Sequence, residues 1–229
     1  KRLVPFIVDV VWHVIYDKNT TTSGYLSDGT ISDSILALND HYNGTGFIFK
    51  YSPKNVTRIH NPYWFYNAKS GSHAERQMKT ALAVEDPKVL NLYSVALSSG
   101  LLGYATFPWE YSENKKLDGV VFLHKSVPGS DLTDYNEGKT LTHEVGHWLG
   151  LFHVFEGGSC TGDGDSVDDT PPQSTSTDGC PEVASSSCPG NGGDSIHNFM
   201  DYSADRCLWE FSHGQKARAG RMSSLYRGM

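Results

Sequence analysis

Residues 143–153 read HEVGHWLGLFH, and few stretches of this length restrict a fold as much. Leu141, Val145 and Trp148 recur at helical spacing, so the segment starts as an amphipathic helix with its apolar side against a core. His143 and His147 lie four residues apart and share the opposite face, with Glu144 flanking it. His153 cannot belong to that face if the helix continues. Six residues further on it would be rotated away and raised about 9 Å, at 1.5 Å per residue. Gly150 stands where a left-handed residue can end the helix at little steric cost. The chain therefore builds a helix, stops it sharply, and turns back within three residues.

Two imidazoles one helical turn apart and a third returned by a turn suit a single zinc ion, with Zn–N distances of about 2.0–2.1 Å. Three protein ligands leave the fourth tetrahedral position to water, which marks a catalytic site; structural sites usually have four protein ligands. Glu144, beside the metal face but not on it, has the place of a general base for the zinc-bound water. A bare HExxH also arises by chance in helices, with both histidines on the surface. The glycine turn and third histidine set this segment apart. The other histidines, His13, His41, His60, His73, His124, His197 and His213, lack ligand spacing and read as structural or surface residues.

The 229 residues have a formal net charge of −7, with 38% hydrophobic and 20% charged residues. This is a globular composition without the clustered basic face that nucleic-acid binding needs, and an acidic surface suits basic substrates. No apolar run reaches the roughly 18–20 residues of a membrane span; the longest, LVPFIVDVVWHVIY, is broken by Asp9 and His13. The chain opens at Lys1 without a signal peptide, so any targeting or pro-segment is expected to have been removed or never supplied. Cys160, Cys180, Cys188 and Cys207 all fall in the last third and form no CxxC pair. An even number in loop-rich sequence reads as two disulfides, with three pairings open. Sequons at Asn19, Asn43 and Asn55 agree with a secreted, extracellular protein. Buried free thiols in a cytosolic protein are the alternative.

β-Branched and aromatic runs predict strands at Leu3–Tyr16, Phe47–Tyr51, Val89–Leu97, Leu102–Phe107 and Gly119–Leu123. Helices are expected after Ser27 and Asp28, where Ile31, Ile35, Leu36 and Leu38 have helical spacing, and over Ala74–Val84, Gly138–Gly150 and Gly214–Ser224. From Gly157 to Asp194 the chain is mostly Gly, Ser, Thr, Asp and Pro and needs cross-links or ions to order it. The expected organisation is an α/β part over residues 1–153 and a looser part over 154–229, within one catalytic domain.

HEVGHWLGLFH fits the extended HExxHxxGxxH signature, and the chain thereby resembles the metzincin clan of zinc endopeptidases. Within that clan it is similar to the pappalysin family. NFMDYSADRC, residues 198–207, looks like the methionine turn, with Met200 beneath the metal. The resemblance is strongest from about Leu101 to Cys207. It implies an α+β fold: a twisted, mostly parallel five-stranded sheet with one antiparallel edge strand, packed on the active-site helix. A loop-rich, disulfide-stapled C-terminal subdomain follows.

The same resemblance implies zinc on His143, His147 and His153, with Glu144 as base and then acid. Tyr202 matches the tyrosine that reaches the metal or the oxyanion in some metzincins; the alternative is a packed tyrosine supporting the turn. Asp205 matches the acidic residue of the pocket for the side chain after the scissile bond, which favours Arg or Lys there; the alternative pairs it with Arg206 or Arg218. Gly103, Tyr104 and Ala105 in LLGYATFP match the upper-rim strand that binds extended peptide by main-chain hydrogen bonds. Family members bind calcium in the region of CTGDGDSVDDTPP, implying a structural ion at Asp165 and Thr170, with Asp168 or Asp169 as further candidates; a solvated acidic turn is the alternative. The family pattern pairs Cys160 with Cys188 and Cys180 with Cys207.

The expected function is that of a secreted zinc metalloendopeptidase acting on protein or peptide substrates. The competing readings are a metal-stabilised extracellular binding module, which would have no use for Glu144, and a zinc hydrolase of non-peptide amides.

Overall fold

The computed structural model describes residues 5–229. The expected start of the first strand at Leu3 lies outside the described residues; within them β1 spans Phe6–Tyr16. Parallel to it run β2 (Phe47–Lys50), β3 (Val56–His60) and β4 (Val89–Val95), and β6 (Val120–Leu123) continues in parallel beyond β4. The edge strand β5 (Gly103–Ala105) is antiparallel to β6.

The sequence predicts five strands, and among the described residues the sheet contains six. The addition is β3. It pairs with the second half of β1, Trp12–Tyr16, on the side where β2 takes the first half, Phe6–Asp9. Two short strands thus share one lane. β3 reads VTRIH and none of its residues is fully buried, so its pattern is too weak to stand out from the polar segment around it. Also unforeseen is α2 (Pro62–Asn67), six residues started by the Asn61 side chain accepting from the Trp64 N–H. Its aromatic sequence PYWFYN has no readable helical period.

Alternation along β1 sends side chains to two cores. Val8, Val10, Trp12 and Val14 face the larger one, shared with α1 (Asp28–His41), α4 (Lys139–Trp148) and α5 (His213–Met222). Ile15 faces the smaller one, under α2 and α3 (His73–Leu82). Leu36, counted among the apolar positions of α1, points outward and is 65% exposed. Beyond α4 the chain has little regular structure until α5. The loops between are joined by Cys160–Cys188 and Cys180–Cys207.

Candidate metal centre and active site

Leu141, Val145 and Trp148 fix α4 to the larger core, which turns His143, Glu144 and His147 to the other side. The helix ends as a Schellman motif: the Gly150 N–H donates to the His147 carbonyl at 2.8 Å and the Leu151 N–H to the Gly146 carbonyl at 2.9 Å. Gly150 has φ +96°, and a Cβ there would also press on the Met222 side chain at 2.8 Å. The stop is thus required by both backbone conformation and packing.

His153 returns as the spacing demands. Nε2 of His147 lies 3.1 Å from Nε2 of His143 and 3.0 Å from Nε2 of His153. Nδ1 of His143 donates to the Phe199 carbonyl at 2.7 Å, and Nδ1 of His147 to the Leu151 carbonyl at 2.8 Å. With their protons on Nδ1, these two rings present bare Nε2 lone pairs. Burial, then repulsion between the imidazoles, lowers His147 to about 3 and His143 well below its usual value; burial alone takes His153 to about 4. Neutral imidazoles with lone pairs aimed at one point repel one another unless a cation lies between them. The donor set fits a metal ion. Among the described residues it is the one cluster of three or more His, Cys, Asp or Glu side chains able to share an ion.

Met200 is buried beneath the helix at Gly146, where a Cβ would collide with its sulfur. Glycine inside a helix costs roughly 0.5–1 kcal/mol relative to alanine, so Gly146 was a signal of close approach that the sequence reading did not use. The turn holding Met200 also supports the triad: the Phe199 carbonyl receives His143, and the Met200 carbonyl receives the Val154 N–H at 3.2 Å.

Glu144 lines a cavity of about 380 Å³ together with Gly103, Lys139, His143, Tyr202 and Asp205. Burial raises its carboxyl to about 8. A Cβ on Gly103 would fall 2.6 Å from the Glu144 Cγ, so β5 approaches the acid as only glycine allows. Tyr104 points the other way, its hydroxyl donating to the Ala68 carbonyl at 3.0 Å, and Ala105 packs against the larger core. What β5 offers the cleft is main chain. The Tyr202 hydroxyl lies 3.1 Å from Nε2 of His153, with its ring against His143, His153 and Phe155.

Asp205 is 2% exposed, and burial raises it to about 6. Oδ2 accepts from the Glu137 N–H at 2.7 Å. Arg206 pairs with Asp134, and Arg218 donates to the Gly150 carbonyl, so neither expected arginine partner is on Asp205. Lys139, which the sequence reading passed over, extends to the Asp205 carbonyl and the Glu137 carboxylate.

In the acidic loop, the Thr170 hydroxyl meets the Asp165 carboxylate at 2.7 Å. Asp168 is exposed. Asp169 accepts from the Ser212 hydroxyl and the Gly214 N–H, anchoring the start of α5. Asp165 and Thr170 thus meet, while Asp169 is engaged at the start of α5.

Known proteins place this architecture. The pappalysin peptidase family, described as "Pregnancy-associated plasma protein-A", matches residues 75–223. The chain belongs to this family. Extracellular metalloprotease 1 of Coccidioides posadasii is 43% identical over 97% of this chain and 78% of its own length. An extracellular metalloprotease of Arthroderma gypseum is 45% identical over 92% of this chain and 70% of its own. Among solved structures, mature mirolysin of Tannerella forsythia in complex with a cleaved peptide superposes with a TM-score of 0.79 at 29% identity, over 97% of this chain and 92% of that one. Mirolysin with a bound compound gives 0.82 at 30% identity, over 98% and 92%. This family member is a metalloendopeptidase with the mirolysin-like metzincin fold, and its family implies a metal ion, usually zinc.

Proposed function

We propose that this metalloendopeptidase is secreted, holds one zinc ion on His143, His147 and His153, and cleaves extended peptides with Glu144 as base and then acid. The observation that carries this reading is the convergence of the three Nε2 atoms beside the buried Glu144 carboxyl. When bound, the ion supplies Lewis acidity that polarises the scissile carbonyl and acidifies water. The main chain of β5 pairs with the substrate backbone. With a cation on the triad to hold its carboxyl below the value near 8 that burial alone gives it, Glu144 takes a proton from the attacking water and delivers it to the departing amine nitrogen. The Tyr202 hydroxyl, directed at the triad, donates to the oxyanion.

Asp205 in this reading sits in the pocket for the residue after the scissile bond and selects Arg or Lys by a charge-assisted contact. Its support is a buried carboxyl that shares the cavity with Glu144 and that, at about 6, is ionised at neutral pH. A structural calcium ion at Asp165 and Thr170 belongs to the same reading, supported by a carboxyl only 4% exposed in a loop of oxygen donors.

Metal analysis of purified protein should find one zinc per chain. Glu144→Ala should retain that zinc and lose hydrolysis of denatured protein substrates by at least about a hundredfold. New termini read by mass spectrometry should carry Arg or Lys. Activity of Glu144→Ala within tenfold of the wild type would remove Glu144 from the mechanism, and termini without basic residues would remove Asp205 from specificity.

A further inference from the structure

A row of aromatic side chains lies beside the metal centre and belongs to neither hydrophobic core. Phe107 stacks on Trp109 with centroids 4.6 Å apart and planes 7° from parallel. Phe152 meets both, at 5.4 and 5.7 Å, and Tyr226 meets Trp109 edge-on at 6.1 Å. Phe107, Trp109 and Phe152 are partly buried and Tyr226 is exposed. The row is continuous with the catalytic residues, because the Phe107 ring meets the His147 imidazole edge-on at 5.4 Å.

We propose that Phe107, Trp109, Phe152 and Tyr226 form a subsite for apolar and aromatic side chains of the substrate on the N-terminal side of the scissile bond. The edge strand decides the placement. β5 ends the sheet, pairing with β6 on one side, and its Gly103 lies against Glu144 and lines the cleft. Gly100 to Gly103, at one end of β5, line the cavity that holds Glu144 and Asp205. Phe107 lies beyond the other end. From Gly103 to Phe107 an extended chain covers about 13 Å, at about 3.3 Å per residue. A peptide running along this edge thus has one flank of its reacting bond in the acidic cavity and the other, up to four residues along, over the aromatic row. That the second flank is the N-terminal one rests on the proposed assignment of Asp205 to the residue after the bond.

The rings are held in place before any ligand arrives. The Arg218 guanidinium lies 4.8 Å from the Phe152 ring centre while its Nε donates to the Gly150 carbonyl at 2.8 Å. Pro108, between Phe107 and Trp109, is buried. Tyr226 precedes Arg227, which is bound to Trp148 and Asp118. Fixed aromatic faces cost little further ordering on binding. A partly exposed apolar surface that adjoins a catalytic cleft is where a substrate side chain gains from leaving water.

The test uses two series of fluorogenic peptides with Arg after the scissile bond. One carries Phe, Leu or Ala two and three residues before that bond; the other carries the same residues two and three positions after it. Wild-type enzyme should favour Phe over Ala by about tenfold in kcat/KM in the first series alone. Trp109→Ala and Tyr226→Ala should bring that ratio towards one. Titration of the same peptides into zinc-loaded Glu144→Ala should show the same order in Kd, with Phe tighter than Ala. Equal Kd for Phe and Ala, a ratio unmoved by both substitutions, or a preference confined to the second series would overturn the subsite. Peptides that bind in the expected order but are never cut by the wild type would instead count against the protease mechanism.

Discussion

Replacing Arg227 by methionine should destabilise the fold by several kcal/mol, about what breaking one side of a buried ion pair costs. The guanidinium is fully buried against Asp118, with Nη1 to Oδ2 at 3.0 Å and Nη2 to Oδ1 at 3.1 Å. Nε and Nη2 also donate to the Trp148 carbonyl at 3.1 and 3.0 Å, and Nη1 to the Pro87 carbonyl at 3.2 Å. Its Cζ lies 3.6 Å from the Trp148 ring centre. Trp148 is the last residue of α4, so this arginine caps the helix that carries His143 and His147. With methionine in its place, Asp118 keeps the Trp148 indole and the Thr106 hydroxyl but is a buried carboxylate that has lost the guanidinium paired with it. Breaking one side of such a pair costs about 3–5 kcal/mol. In a chain of this size that is roughly 6–20 °C in Tm, at about 2–4 °C per kcal/mol. Urea unfolding at neutral pH measures it. The double variant Asp118→Leu with Arg227→Met removes both charges and should recover part of the loss. A single variant within about 1 kcal/mol of wild type, or a double variant as unstable as the two singles summed, would refute the argument.

Gly103→Ala puts a methyl group where the Glu144 side chain lies. It should lower kcat by about a hundredfold with zinc content unchanged, as measured by steady-state kinetics and metal analysis. The preference for Arg over Ala after the scissile bond should strengthen as pH rises through about 6, where Asp205 ionises; a flat ratio from pH 5 to 8 would contradict it. His13 is buried and lowered to about 4, by burial against an opposing Asn91 hydrogen bond. With the folded value below the unfolded 6.5, its contribution is present above pH 6.5 and lost as pH falls towards 4. The loss should approach about 3 kcal/mol in urea unfolding and shrink in His13→Asn. Asp205, raised by burial, works in the opposite sense: its contribution is present below about 3.8 and lost as pH rises through about 6.

Elements with strong periodicity were legible in the sequence. β1 and α4 appear where Val8 to Val14 and Leu141 to Trp148 demanded a buried stripe. β3 and α2 were not, because the burial of β3 is partial and four consecutive aromatic residues in α2 leave no readable period. The aromatic row was also hidden, since Phe107, Phe152 and Tyr226 are far apart in sequence and each looks like core filler.

Spacing alone determined that two imidazoles share a helix face, that the helix ends at a glycine, and that a third histidine returns. These are local consequences of 3.6 residues per turn and of a backbone conformation that suits glycine. Tertiary structure alone decided the rest: the Phe199 carbonyl that orients His143, the Met200 sulfur under Gly146, and β5 pressed against Glu144. The physical reason is that each of these contacts joins segments dozens of residues apart, and a local pattern carries no information about which distant carbonyl or side chain will meet it.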